Sequence, residues 1–215
     1  VINGAVYALV AIALVMVFAV TRVILVPQGE LVAFTAMTIA ALEAGRIPAT
    51  GWLLLALGIL ATVATLIQQF NILNLRRLLG IVLLYVVLPA VLLFATIKLA
   101  PLKLGSAANI ALAVALTVPI GPMIYQIAFA PLAKASVLVL LIAAFGVHFA
   151  LLGMGLAFFG PEGIGTTPLI SKSFELGDLV VTGQSVVVLI TTLLMLVLFA
   201  LFFERTLLGK ALRAC

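Results

Sequence analysis

The feature that most constrains this chain is the length and all-round apolarity of its hydrophobic runs. Seven are read, at about 2–20, 31–44, 52–67, 79–97, 107–130, 137–159 and 185–203. Roughly 20 apolar residues, at 1.5 Å per helical residue, match the 30 Å hydrocarbon core of a bilayer. Hydrocarbon supplies no hydrogen-bond partners, so a spanning segment must be a helix or part of a closed barrel. Barrel strands alternate polar and apolar over about 10 residues, whereas these runs are apolar on every side. The expectation is an all-α fold, a polytopic transmembrane helix bundle. Only 8% of the residues are charged and 67% are hydrophobic. Soluble domains carry about 25% charged residues, so this chain could not clothe a wet surface.

The second run is shorter than a normal span and follows an interruption, Pro27-Gln28-Gly29-Glu30. Such a break predicts a hinge between half-spanning helices whose ends face protein or a pathway rather than lipid. Further breaks are predicted at Pro89 and within "VPIGPM", Val118 to Met123, because proline lacks an N–H and clashes with the preceding turn. Connections are short except 160–184, which carries Gly, Pro, Ser, Thr and charges and is expected to lie in water. No stretch accommodates a soluble domain, so a single membrane domain over 1–215 is expected. With the C-terminus cytoplasmic, Arg22, Arg76, Arg77, Lys134, Arg205, Lys210 and Arg213 lie inside. Arg46, Lys98, Lys103 and Lys172 lie outside, a bias of seven to four that makes the 160–184 loop extracytoplasmic. This bias accounts for the net charge of +5 with membrane lipid and without nucleic acid.

Catalytic chemistry is poorly represented. There is one histidine, His148, and no HExxH, paired carboxylates at helical spacing, Gly-x-Ser-x-Gly or P-loop. No metal site, no cofactor and no enzymatic activity are expected, and ATP would have to be hydrolysed elsewhere. His148 could be a proton relay or ligand, or simply hydrogen-bond a neighbouring helix. Glu30 likewise has two readings. In a first helical turn a carboxylate meets exposed N–H groups and the positive end of the dipole; alternatively Gln28, Gly29 and Glu30 form a polar gate in a substrate pathway. Glu43 and Arg46 suggest an interfacial ion pair, and Gly146, Gly153 and Gly155 suggest close helix packing. The terminal "FFERTLLGKALRAC" turns basic and amphipathic, as an interfacial helix end or a cytoplasmic docking element would.

Three blocks together resemble the permease subunits of branched-chain amino acid ABC transporters. "INGAVYALVAIALVMVFAVTRVILVPQGELVAFTAM" (Ile2 to Met37) is similar to an opening "NG…YAL" helix leading into an Asn-x-Ala-His-Gly-Glu element. "IYQIAFAPLAKASVLVLLIAAFGVHFALLGMGLAFFGPEG" follows the family's "YRPLR…LI.T.G" region, and "FFERTLLGKALRA" (Phe202 to Ala214) its "F.RT..G.A.RA". The chain departs at Leu25 and Gln28, where the family has Asn and His, and retains Gly29 and Glu30. It also has Tyr125-Gln126 for a Glu-Arg pair, Ala130 for an Arg, and two additional spans over 52–106. The resemblance implies a multi-pass permease of a bacterial inner membrane that moves amino acids or similar small solutes by alternating access. It implies separate ABC ATPase subunits, a second permease subunit and a periplasmic substrate-binding protein as partners. It places pathway or gate residues at Gln28, Gly29 and Glu30, and ATPase coupling at Arg205, Gly209, Lys210 and Arg213, where 204–215 opens the cytoplasmic coupling region. The family's permeases continue beyond that region, so the chain is expected to be an N-terminal portion that does not transport alone. An ion-coupled secondary transporter or channel is the alternative.

Overall fold

The computed structural model describes residues 2–69, 74–102, 105–162, 165–168, 170, 173–176 and 179–205. Among them the helices form seven rods at the seven predicted runs. Helix α1 spans Ile2–Thr21, α2 Gln28–Glu43 and α3 Thr50–Gln69. The fourth rod joins α4 (Leu75–Val82), a π-helical segment (Leu83–Val87) and α5 (Leu88–Leu99). The fifth joins α6 (Ser106–Thr117), α7 (Ile120–Ile124) and a second π-helical segment (Tyr125–Phe129). Helices α8 (Val137–Phe159) and α9 (Gly183–Arg205) complete the set. Five stretches, Thr50–Gln68, Leu75–Leu102, Ser106–Leu132, Val137–Phe159 and Gly183–Phe202, are long and apolar enough to cross a membrane. The protein is a multi-pass helical membrane protein.

The helices group into two compact units. One holds α1 and α9, which pack together, with a small antiparallel hairpin of β1 (Ser173–Leu176) and β2 (Leu179–Thr182). The hairpin lies in the stretch expected only to be an aqueous loop; Thr182 and Ser185 hydroxyls, 2.6 Å apart, tie it to the start of α9. The other unit holds α2 to α8.

In that second unit α3 is central. It touches α5, α6, α7 and both π-helical segments, and 44% of its spanning window is buried against 11% for the neighbouring Leu75–Leu102 rod. The rest of the chain therefore leaves most of that rod's surface uncovered. Each predicted proline break is present, in a different form. Pro89 cannot supply the N–H that a regular helix sends to the Tyr85 carbonyl, and the helix widens to π geometry at Leu83–Val87 just before it. Gly58 of α3 fits against that same carbonyl, which a Cβ at position 58 would strike. In the fifth rod, α6 stops at Thr117 and the chain turns at Val118–Pro119 before α7 resumes.

Helix α2 is short for physical reasons at both ends. Its N-cap is Pro27, buried and with φ −74°. Its C-terminus closes with Gly45 at φ +70°, the Gly45 N–H on Leu42 O at 2.9 Å and the Arg46 N–H on Ala41 O at 2.8 Å. That pair of bonds is a Schellman closure, which calls for glycine at the left-handed position.

Candidate functional site

Glu30 is the third residue of α2, the place from which a capping box would reach back to the N-cap N–H. Pro27 occupies the N-cap and has no N–H to offer, and the helix start carries no side-chain cap. The Glu30 side chain instead meets α8. Its Oε1 lies 2.8 Å from Nδ1 of His148, with the two side chains 14% and 27% exposed. These atoms are at ion-pair distance but out of hydrogen-bond alignment, and Glu30 Oε2 is buried with no partner. Proximity, not bond geometry, is what the pair provides. The imidazole also packs at 5.1 Å against the Phe149 ring.

His148 has eleven residues of α8 on either side of it. In a helix long enough to cross the hydrocarbon core, its midpoint is furthest from both headgroup layers. A charged group at that depth costs about 2.5–3.5 kcal/mol or more, so ionisable residues there are paired and mark functional sites. An unpartnered buried polar oxygen adds about 1–3 kcal/mol. The cost is not met by local bonding.

Beside the pair is a cavity of about 110 Å³ between α2 and α8. Its walls include Phe34, Met37, Leu151, Leu152 and Leu156, and Glu30 is its single charged lining residue. Phe34 closes one side, 5.9 Å from the Phe159 ring and within van der Waals reach of a side chain at Gly155. A second cavity of about 170 Å³ lies toward the other end of α2, between Met37, Arg46, Pro48 and Phe158.

Of the three residues of the expected gate, Glu30 lines the cavity. Gln28 is half-buried in the first turn of α2, and Gly29 is exposed with open space where a Cβ would stand. Neither lines the cavity. Arg205 ends α9, exposed, where a cation suits the helix dipole; Gly209, Lys210 and Arg213 lie outside the described residues. His148 was a lone histidine in sequence, and its carboxylate partner sits on a helix far from it in the chain. No spacing signals that meeting. Among the described residues, no group of His, Cys, Asp and Glu is arranged to hold a metal ion.

No family model, curated protein or solved structure matches the chain.

Proposed function

We propose that this chain is a permease subunit of an ABC importer, passing an amino acid or a similar small amphipathic solute through the membrane. The observation that carries the reading is the Glu30–His148 pair beside an apolar cavity at the mid-depth of α8. A pathway for such a solute needs one polar contact point inside an otherwise greasy passage. Glu30 is also the residue retained from the Gly-Glu element of the permease resemblance. On this reading a separate ATPase drives alternating access, a second permease subunit completes the passage, and a periplasmic binding protein delivers the solute. Arg205, with Gly209, Lys210 and Arg213, would face the ATPase.

The test is uptake of labelled leucine by cells carrying the full-length gene, with the partner ATPase present or deleted. Loss of uptake on deleting either gene supports the permease. The histidine–carboxylate pair also favours a second reading, a proton-coupled transporter, because such pairs serve proton relays in membranes. Uptake that survives ATPase deletion and stops when a protonophore collapses the proton gradient would select that reading instead.

A further inference from the structure

We infer that the groove between the C-terminal ends of α2 and α8 seats one anionic phospholipid, with its phosphate on Arg46 and an acyl chain along the apolar wall. The assignment stands independently of the permease reading and makes no use of Glu30. Arg46 is the single charged residue lining this groove, and Met37, Ala41, Ile47 and Phe158 supply apolar wall. Met37 and Ala41 are four residues apart, so they lie on one face of α2. Ile47 and Phe158 are 47% and 45% exposed, so the groove opens outward, where a lipid chain passes between it and the bilayer.

The depth of Arg46 follows from the ends of two spanning segments. Val137–Phe159 ends at Phe159, which lines the groove, and Thr50–Gln68 begins four residues after Arg46. Trp52, the sole tryptophan, is exposed at that same end, as interfacial aromatic residues are. Arg46 therefore stands at headgroup level. The Schellman closure holds it at the groove, because its N–H is bonded to the carbonyl of Ala41. A guanidinium presents a planar fork of donors that fits two phosphate oxygens at once. Among the described residues Arg46 makes no ion pair, and Glu43, expected to be its partner, does not line the groove. Charge then selects among lipids. A phosphatidylethanolamine or phosphatidylcholine would bring its own cation beside Arg46, with no carboxylate on the described walls to receive it. A phosphodiester with an uncharged headgroup alcohol brings a net negative charge instead. Free phosphate would satisfy the guanidinium and leave the apolar wall bare.

The experiment counts lipids bound to the full chain in maltoside detergent by native mass spectrometry, with phosphatidylglycerol as the probe. One phosphatidylglycerol should bind about tenfold more tightly than phosphatidylcholine or phosphatidylethanolamine. Glycerol phosphate, which has the charge and no chains, should compete about a hundredfold more weakly or worse. Arg46→Gln should remove the preference, bringing phosphatidylglycerol within about twofold of phosphatidylcholine, and Arg46→Lys should keep part of it. Arg77→Gln removes the same charge at an exposed place on the fourth rod and should leave the preference intact. Ile47→Glu decides the matter if Arg46→Gln does not fold. A carboxylate on that exposed rim should abolish the preference while leaving phosphatidylcholine within about twofold. A preference that survives Arg46→Gln or Ile47→Glu, an equal loss in Arg77→Gln, equal binding of the zwitterionic lipids, or displacement by an equal concentration of glycerol phosphate would each overturn the assignment. So would a lipid-free dimer that Ile47→Glu dissociates, since a second copy of the chain would then cover the groove.

Discussion

Helix α2 has two polar neighbourhoods, and they are finished to different degrees. Toward α3 and α6, its hydroxyls are closed. Thr38 gives its proton to Phe34 O at 2.6 Å, so the 2.6 Å contact with Thr50 must be a bond that Thr50 donates. Thr117 bonds Ala113 O at 2.9 Å, and Thr35 divides its proton between Leu31 O at 2.7 Å and Thr117 at 2.9 Å. Thr38 and Thr50 are fully buried, yet neither leaves a donor unused. Toward α8, by contrast, Glu30 keeps an oxygen with no partner beside an open cavity. In a medium of low dielectric constant, complete polar networks fix helices in register, whereas incomplete ones weaken the fold. The threonine side is thus read as architecture, and the carboxylate side as a place kept open for a partner.

The largest expected effect lies behind the closed side, where α3 meets the fourth rod. Gly58→Ala drives a methyl group into the Tyr85 carbonyl, where both partners are helix backbone and neither can swing away. Folded, monodisperse protein should be lost on size-exclusion chromatography in detergent. Gly80→Ala is the control: its Cβ meets nothing within 4 Å, and an exposed helical Gly→Ala change is stabilising by about 0.5–1 kcal/mol. Equal recovery of the two variants would mean that α3 and the fourth rod are not in close contact.

Next comes the open side. Glu30→Ala in the transporting protein should cut solute uptake by about tenfold or more, equivalent to about 1.4 kcal/mol in the barrier. Thermal stability should hold within about 1 kcal/mol in the double variant Glu30→Leu with His148→Leu, because replacing both members of a buried polar pair by apolar residues is close to neutral, whereas removing one leaves the other without its partner. Full uptake with lowered stability would reverse the assignment of the two sides.

The rods were legible because hydrocarbon leaves a helix little freedom: 20 apolar residues without alternation have one way to satisfy their backbone. All seven runs are helices, and both proline sites disturb their rods. What was not legible depends on pairing between rods. The π-helical segment at Leu83–Val87 arises from Pro89 and from the approach of Gly58, a residue on a different rod. The hairpin at Ser173–Thr182 sits in a segment judged only by its polarity. In the site, Glu30 stood out by its position after Pro27-Gln28-Gly29. His148, read alone, carried no sign that a carboxylate on α2 would reach it. On a helix, adjacent residues point about 100° apart, so Gln28 and Gly29 do not share the cavity wall with Glu30.

The threonine network gives a smaller effect with a diagnostic shape. Thr38→Val removes the acceptor for Thr50 and strands a buried donor, at a cost of about 1–3 kcal/mol. Thr38→Val combined with Thr50→Val removes both partners, and the stability should return most of the way to that of the parent. Such non-additivity, read from thermal unfolding of the two singles and the double, is the mark of a pair that serves packing. Additive losses would show that the two hydroxyls have separate partners.

The smallest effect tests whether the space against α8 is vacant. A Cβ on Gly155 would stand 3.7 Å from Phe34 Cζ, an ordinary contact made without displacing anything. Gly155→Ala fills part of the cavity and removes the entropic disadvantage of glycine inside a helix. Both terms have the same sign, so the purified protein should gain about 0.5–1 kcal/mol. If an amphipathic molecule accompanies the protein through purification, the added methyl group will compete with it, and the gain will shrink or reverse. A loss that becomes a gain after exhaustive washing in fresh detergent would place that molecule in the cavity. A loss that persists would mean that α2 and α8 already touch at Gly155, leaving the carboxylate side as tightly packed as the threonine side.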